Sequence, residues 1–496
     1  MARFLFGEKI KNLRRVGDLF LPRVPRGLLD PLAWFLQKIE SALGASLFVG
    51  IPEHLADIDP ALWKSVETLE ILKEEGIITA HFKDHMSSYP DEPRLKSWTA
   101  LLADDKGYRG YSGYGYDFFN HTEAIGPAVG EALERWALNN FKPSETEIRT
   151  TSYNEIKKEG ALDIFSVAGF TPEFRAKKHT DYTFTFDEYA PFQWVRGESL
   201  IQKKPLWIPY QLTSFAGQHR THNKKEAVIS KIISTGGAAH ISKEKALVGG
   251  ILEVVQRDAF MLYWLRKITP QRIDVTSIES SKLRFIEEQF KRYNLSFYCL
   301  YLKTDVPAHT VVTVIIDKTG VGPAVCVGAS TGFDITDVVY KSILETFASR
   351  LGVRKLLNFH LAQGKTLAFN PQTIGHEERL LYWCDMSRLP DISFFTAGKE
   401  VDVETLPVYE EKGSELERLL AHFKKTGEEV CFTNLLSREL EKKLSLYAVM
   451  VTIPTFQPLH LEEAFPFFGG ARLELVPNQL ELTPGAALNT VPHPFP

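Results

Sequence analysis

The sequence predicts a mixed α/β fold, of the α/β or α+β kind, in which helices pack on β-sheets. Apolar residues recur at helical spacing in several segments of the 496-residue chain. Runs rich in Val, Ile, Thr and aromatic residues alternate with those segments and are typical of strands. No low-complexity run or long linker follows residue 100, so we interpret residues 101–496 as one large unit.

The composition is that of an ordinary globular protein, with 44% hydrophobic and 24% charged residues. The net charge of -4 gives no reason to expect a nucleic acid or an anionic membrane as partner. Four cysteines lie far apart without a C-x-x-C pair, which argues against a cysteine-based zinc site and against a disulfide framework. These features suit a reducing compartment, and we expect a cytoplasmic protein.

Residues 1–100 are predicted to form a small, mostly helical N-terminal region of unknown role. Residues 1–15 are basic, and their charges interrupt the apolar run that a signal peptide needs. Residues 28–51 are too charged to span a bilayer, so their apolar residues predict an amphipathic helix. A second helix is predicted over residues 60–75.

A glycine- and tyrosine-rich stretch covers residues 107–120 and contains Gly113 and Gly115. It comes just before a helix predicted over residues 123–140. Glycines allow a backbone to approach a ligand closely, so we interpret the stretch as a loop beside a ligand, although such stretches are more often strand ends or turns.

The remaining chain alternates predicted strands with predicted helices. The strands are expected at residues 180–195, 205–210, 297–302, 310–317, 324–329, 430–434 and 445–453. The helices are expected at residues 279–293, 336–359, 376–384 and 413–425.

The stretch of residues 234–266 holds the most informative pattern. It begins with Ser234, Thr235 and two glycines, which free the backbone for a close approach. A helix is predicted from residue 242 onwards, and it places Glu253, Gln256 and Arg257 on one face at spacings of three and four residues.

The same arrangement occurs twice more in the chain. The sequence E-A-L-E-R-W-A at residues 131–137 echoes E-V-V-Q-R-D-A at residues 253–259, so Glu131, Glu134 and Arg135 share a face. A third helix carries Lys341 and Glu345 four residues apart. For one such helix, a solvated and internally paired face is the more common explanation.

Three such helices favour a site for a phosphate-bearing ligand. Carboxylates hold Mg²⁺, which prefers oxygen ligands and is commonly shared with substrate phosphates. Arginine and lysine neutralise the phosphates themselves. No P-loop and no G-x-G-x-x-G motif is present, so ATP would have to be bound by side chains on helices.

These motifs together resemble the YcaO family, and within it the peptide-heterocyclising cyclodehydratases that form azolines. The resemblance covers residues 107–496. It rests on the three helices, the tail V-P-H-P-F-P and further landmarks in family order, namely Trp194, residues 205–209, Gly328, His376, residues 454–460 and residues 469–473. The fold implied is a YcaO-type fold, with ATP and Mg²⁺ as cofactors.

The resemblance also implies roles for individual residues. The metal-binding residues are expected to be Glu131, Glu134, Glu253, Gln256 and Glu345. The ATP-binding residues are expected to be Arg135, Arg257, Lys341, Arg350, Gly113, Gly115, Ser234 and Thr235. The chain departs from the usual family pattern at Ala128, Thr235, Gln256, Lys341 and Ala348, and these departures bear on the number of metal ions and the tightness of ATP binding.

The activity implied is ATP-dependent cyclodehydration. A Cys, Ser or Thr side chain of a precursor peptide attacks the preceding backbone carbonyl, and ATP phosphorylates the oxygen of the resulting adduct. Phosphate then departs, and a thiazoline or oxazoline ring remains. The tail residues Pro492, Pro494 and Pro496 are expected to reach the active site, where the terminal carboxylate would transfer protons. A disordered tail is the alternative.

The partners implied are the precursor peptide, a leader-binding protein resembling ubiquitin-activating enzymes and, as an option, a flavin-dependent dehydrogenase. Self-association as a homodimer is left open. Two other functions remain: thioamide or amidine formation by the same ATP chemistry, and a non-catalytic nucleotide-binding scaffold.

Overall fold

The computed structural model describes residues 60–85, 89, 91–103, 112–223, 226–409 and 412–496. The helix predicted within residues 28–51 lies outside these ranges. The predicted boundary at residue 100 falls inside a strand, Lys96–Leu102, which pairs with strands on both sides of it.

Three β-sheets form the framework. The first is antiparallel and contains β1 (Ile78–His85), β2 (Lys96–Leu102) and β3 (Ser112–Asp117). The six-stranded sheet has the order β4-β5-β13-β14-β7, with β6 paired to β5; these strands are Ile148–Ser152, Pro191–Ser199, Cys431–Asn434, Tyr447–Thr452, Gly237–His240 and Lys204–Pro209 respectively. The five-stranded sheet has the order β11-β10-β9-β8-β12; these strands are Val325–Gly332, His309–Asp317, Leu295–Leu302, Gln271–Ile273 and Glu400–Val401.

Helices of two or more turns pack around these sheets. In chain order they are α1 (Pro60–Glu74), α2 (Ile125–Asn140), α3 (Phe215–Asn223), α4 (Lys243–Leu265), α5 (Ser281–Arg292), α6 (Ile335–Ala362), α7 (His376–Tyr382), α8 (Leu389–Thr396), α9 (Glu415–Thr426), α10 (Arg438–Leu444) and α11 (Arg472–Gln479). Two single turns, Tyr153–Ile156 and Pro172–Ala176, are also helical.

Helix α4 is the central element because it packs on two sheets at once. Its first half, including Val254, packs with β14 of the six-stranded sheet. Its second half, from Ala259 to Leu265, is fully buried against the five-stranded sheet. Burial on all sides explains why this helix is apolar over most of its length. The side chain of Ser242 begins the helix by accepting a hydrogen bond from the Lys245 amide.

Helices α2 and α6 pack on different sheets, and each of them shares a sheet with α4. Helix α2 packs on β3 and β7. Helix α6 packs on β10 and β11, and β11 also contacts α4. Since α4 itself packs on β7, the three helices with the repeated acidic pattern are held around one another.

The mixed α/β prediction is confirmed, and most predicted elements lie within a few residues of the observed ones. Two predictions are wrong. The strand predicted over residues 180–195 begins only at Pro191. Residues 180–190 pair with no neighbouring strand, and Phe184 packs in an aromatic cluster with Phe170 and Phe174. Residues 112–117 of the predicted glycine-rich loop form strand β3.

The four cysteines are buried free thiols, as the wide sequence spacing predicted. Among the residues described, no helix combines the length and the apolar character needed to cross a membrane.

Candidate functional site

The first acidic group lies on α2 and is held by strand β3. The backbone amide of Tyr114 donates a hydrogen bond to Glu131. Arg135 pairs with the same carboxylate at 2.6 Å and donates to the carbonyl of Ser112 at 2.9 Å. The Glu131 side chain is 29% exposed, so it faces an open recess and not the core.

Gly113 and Gly115 explain how β3 comes so close to α2. A side chain on either glycine would collide with the backbone of α2, at Ala128 and Ala124 respectively. These alanines are fully buried, so small residues on both elements permit the contact. The structure therefore gives the two glycines a packing role that places the Tyr114 amide against Glu131.

The second acidic group lies on α4 beside the turn that precedes β7. Gly236 has a φ of +93°, and its amide donates to Glu253 at 3.1 Å. The Ser234 carbonyl accepts from the Gly237 amide at 2.7 Å and closes the turn. The residues Ser234 to Gly237 thus fix Glu253 through the backbone. Gln256 is half-buried one turn further along α4.

The four carboxylates lie close enough together to alter one another's ionisation. The pKa of Glu131 is raised to about 7, chiefly by burial; Arg135 opposes the shift, and the charges of Glu345 and Glu253 add to it. Burial, and then the Glu253 carboxylate, raises the pKa of Glu134 well above its ordinary value. Burial also raises the pKa of Glu345, and the Arg257 guanidinium opposes the shift. The Glu345 side chain reaches solvent although many protein atoms lie around it, as expected of a carboxylate in an open recess.

Arg257 is the least satisfied positive group of the cluster. Its Nη2 atom lies 3.3 Å from Glu253 Oε1. Its Nε and Nη1 atoms are buried and have no hydrogen-bond partner among the described residues. Buried guanidinium donors normally have partners, so this side chain is suited to an anionic ligand. It also borders an open cleft of about 100 Å³, which Thr235, Val254 and residues 450–454 help to line.

The C-terminal tail reaches this cluster. Residues 492–495 are buried, and the Phe495 ring lies 4.2 Å from the Arg257 guanidinium carbon. Trp383 donates to the Pro492 carbonyl at 3.0 Å, and Arg379 donates to the Phe495 carbonyl at 3.3 Å. Pro496 is half-buried. The tail is therefore a packed element, and the alternative of a disordered tail is wrong.

Two predicted ATP-binding residues are not brought into the cluster. Lys341 is 60% exposed and pairs with Asp337 at 2.8 Å. Arg350 is 1% exposed, and its guanidinium donates to Glu92, to Asp317 and to the Pro323 carbonyl. Its polar atoms are already satisfied, so the structure gives Arg350 a structural role.

Several residues that sequence reasoning did not assign support the site. The half-buried phenol of Tyr116 lies near Glu131 and Glu345, and the surrounding protein raises its pKa. Arg472 pairs with Asp258 on α4 at 2.8 Å and with Asp305 at 2.7 Å. Asp258 also accepts from the Gln457 amide at 2.7 Å, which fixes the loop lining the cleft. The sequence feature that could have indicated this support is Asp258, the acidic residue that directly follows Arg257.

The residues present fit Mg²⁺ and a phosphate group. Four carboxylates face two arginines, and burial, with the neighbouring carboxylates adding to it, raises the pKa of Glu131, Glu134 and Glu345. A divalent cation would relieve that cost, and oxygen donors are the ligands that Mg²⁺ prefers. The unpartnered Arg257 donors would suit the phosphate.

Comparison with known proteins gives a family and several structural neighbours. A family model described as YcaO cyclodehydratase, ATP- and Mg²⁺-binding, matches residues 117–457. An uncharacterized protein from Methanothermobacter thermautotrophicus is 23% identical over 251 residues, which are 50% of this chain and 59% of that protein.

Three solved structures share the fold. A heterocyclase in complex with substrate and cofactor has a TM-score of 0.64 at 17% identity, over 86% of this chain and 57% of that chain. YcaO from Methanopyrus kandleri, bound with AMPPCP and Mg²⁺, has a TM-score of 0.54 at 15% identity, over 82% and 95% of the two chains. The E. coli microcin synthetase McbBCD complex with pro-MccB17 bound has a TM-score of 0.53 at 14% identity, over 84% and 96%. This chain thus spans less than two thirds of the uncharacterized relative and of the heterocyclase.

Proposed function

Because the chain belongs to the YcaO family, we propose that it catalyses ATP-dependent cyclodehydration of Cys, Ser or Thr residues in a ribosomally made precursor peptide. The products are thiazolines or oxazolines. The observation that carries the proposal is the convergence of four carboxylates and two arginines from α2, α4 and α6 beside an open cleft.

The chain is an enzyme of the YcaO type, and ATP and Mg²⁺ are the cofactors of its family, as the sequence predicted. We assign the Mg²⁺ ligands to Glu131, Glu134, Glu253 and Glu345, with Gln256 as a neutral oxygen donor at the edge of the cluster. When bound, ATP with Mg²⁺ supplies the phosphoryl group that turns the adduct oxygen into a leaving group.

The residues of the chain prepare this chemistry. Glu131 and Glu134, whose pKa values are raised, would hold the cation as carboxylates and would give up their protons when it is bound. Arg135 and Arg257 neutralise phosphate charge. The Phe495 ring covers one face of Arg257 and excludes water from it, which strengthens the charge interaction.

The C-terminal tail is assigned the proton transfer in this mechanism. Pro492 and Pro494 restrict the backbone, and the hydrogen bonds to their segment fix where Pro496 lies. We assign the Pro496 carboxylate to accepting the proton of the attacking side chain. We assign Thr235 to the wall of the nucleotide cleft and Ser234 to the turn that positions Glu253.

The substrate and partners are proposals of the same kind. The structural neighbours include a complex of several proteins with a bound propeptide. By analogy, we propose that a leader-binding protein presents the precursor peptide to this chain and that a flavin-dependent dehydrogenase acts on the azoline product as a later step in the same system.

Co-expression with a candidate precursor peptide, followed by mass spectrometry, tests the proposal. We expect the loss of one water per ring with the parent protein, and no loss with Glu253→Gln. Glu244→Gln removes an exposed carboxylate from the first turn of the same helix and is the matched control, so it should behave as the parent.

Other outcomes would contradict the proposal in distinct ways. Exchange of a peptide oxygen for sulfur or nitrogen, without ring formation, would indicate thioamide or amidine chemistry. ATP binding without any hydrolysis that depends on the peptide would indicate a scaffold.

A further inference from the structure

A second cluster of potential metal ligands lies away from the carboxylates, where the segment after β14 meets the C-terminal tail. It consists of His460, Glu463 and His493. One ligand atom from each residue lies within 4.8 Å of the other two. The side chains of His460 and Glu463 are 4% and 6% exposed, and His493 is 1% exposed.

The hydrogen bonds of His493 leave one ring nitrogen free to bind a ligand. Its Nε2 atom lies 2.6 Å from the His460 carbonyl oxygen, which can only accept, so Nε2 carries the proton. The Nδ1 atom therefore has a lone pair, and it is buried without a partner among the described residues. Metal-binding histidines commonly donate their other N–H to a backbone carbonyl, as His493 does.

Glu463 has a free oxygen as well. Its Oε2 atom lies 3.3 Å from His460 Nε2. Its Oε1 atom is buried and has no hydrogen bond within the described part of the chain, although the Arg379 guanidinium is 3.9 Å away. Two buried polar atoms without hydrogen-bond partners in one small cluster are unusual in a folded protein.

We propose that His460, Glu463 and His493 bind a Zn²⁺ ion that links the segment after β14 to the C-terminal tail. Two imidazoles and one carboxylate are typical of Zn²⁺ sites and unlike the all-oxygen sites of Mg²⁺. Zinc ligands at about 2.0–2.2 Å from the ion lie roughly 3.5 Å apart in a tetrahedral site. His460 Nε2 and Glu463 Oε2 already have such a spacing, at 3.3 Å. The positive charge of Arg379 beside the cluster reduces the affinity.

The ion would hold the tail in place. His493 is two residues before Phe495, whose ring covers Arg257. Helix α4 already contacts the tail through Trp264 and Phe260, and a bound ion would add a further point of attachment to the tail that covers the candidate nucleotide site.

Zinc binding to the full-length protein tests this inference. The protein is treated with a chelator and dialysed, and Zn²⁺ is then added while binding is followed by calorimetry and by elemental analysis. We expect one Zn²⁺ per chain. Because loss of an outer-shell partner alone weakens metal sites by about 10–100-fold, Glu463→Gln and His493→Ala are expected to weaken binding at least about tenfold.

Two further variants separate this site from other sources of metal binding. His360→Ala removes a half-buried histidine outside the cluster and should bind Zn²⁺ as the parent does. Glu134→Gln alters the carboxylate cluster and should also keep the zinc. Stoichiometric zinc lost in Glu134→Gln, or no stoichiometric zinc in the parent, would overturn the proposal. Glu463→Gln is nearly isosteric, so it decides the result if His493→Ala does not fold.

Discussion

Arg257 provides the sharpest test of the nucleotide site. Replacing it by Met keeps an unbranched apolar side chain against Phe495 and removes the guanidinium. Two of its donors have no partner among the described residues, so the variant loses bonds that only a ligand makes. A hydrogen bond to a charged group contributes about 1.5–3 kcal/mol. We therefore expect the Kd for ATP to rise by about 10- to 150-fold.

Calorimetric titration with AMPPCP and Mg²⁺ measures this change without turnover. Lys341→Met is the matched comparison, since Lys341 is exposed and already paired with Asp337. A surface ion pair contributes about 0–1 kcal/mol, so this variant should bind nearly as the parent does. If Arg257→Met bound the analogue with the parent's affinity and only melted at a lower temperature, Arg257 would be a partner of Glu253 and nothing more.

Four further predictions concern the acidic cluster and the tail. Glu134→Gln should abolish ATP turnover in a hydrolysis assay while circular dichroism stays native; turnover near the parent's level would remove Glu134 from the site. Without Mg²⁺, thermal stability should fall as pH rises from about 4.5 to 7, because Glu131 holds its proton in the folded state up to a pKa of about 7 but loses it near 4.5 when unfolded. Saturating Mg²⁺ with AMPPCP should flatten this dependence of stability on pH. An equal dependence in both conditions would contradict the assignment of Glu131 as a metal ligand. Phe495→Ala should lower the free energy of unfolding by about 3–5 kcal/mol in denaturant titrations because the ring is buried. One residue added after Pro496 should preserve ATP binding and lower ring formation. Full ring formation by the extended chain would exclude a role for the terminal carboxylate.

The sequence predicted the helices of the site well because periodicity reports directly on a helix face. Glu131 and Glu134, and likewise Glu253 and Arg257, are three or four residues apart, so each pair was correctly placed on one face. Arg350 follows Glu345 by five residues, which turns it by about 140° around the helix at 3.6 residues per turn. That angle points Arg350 away from the cluster and into the core, as the structure shows.

Other features depend on contacts that the local sequence does not contain. Strand β3 is rich in glycine, which disfavours strands, and it is a strand because small residues let it pack on α2. Residues 180–190 alternate like a strand, yet Phe184 finds its partners in Phe170 and Phe174. The buried position of Phe495 follows from contacts with residues more than 100 positions earlier, such as Arg379 and Arg257.

The surroundings of Arg350 bear on how the chain can be trimmed. Its guanidinium bonds to Glu92, a buried carboxylate that Arg354 also contacts, and Glu92 lies before the first residue of the family match at 117. A protein cut back to residues 117–457 would leave Arg350 with Asp317 alone and would remove both carboxylates, Asp91 and Glu92, that pair with the buried Arg354. An unpaired buried charge of this kind costs about 3–5 kcal/mol. The same cut removes Phe495 from the other end. The stretch that the family model matches is thus shorter than the stretch that must fold together, and expression designs should retain at least residues 91–496.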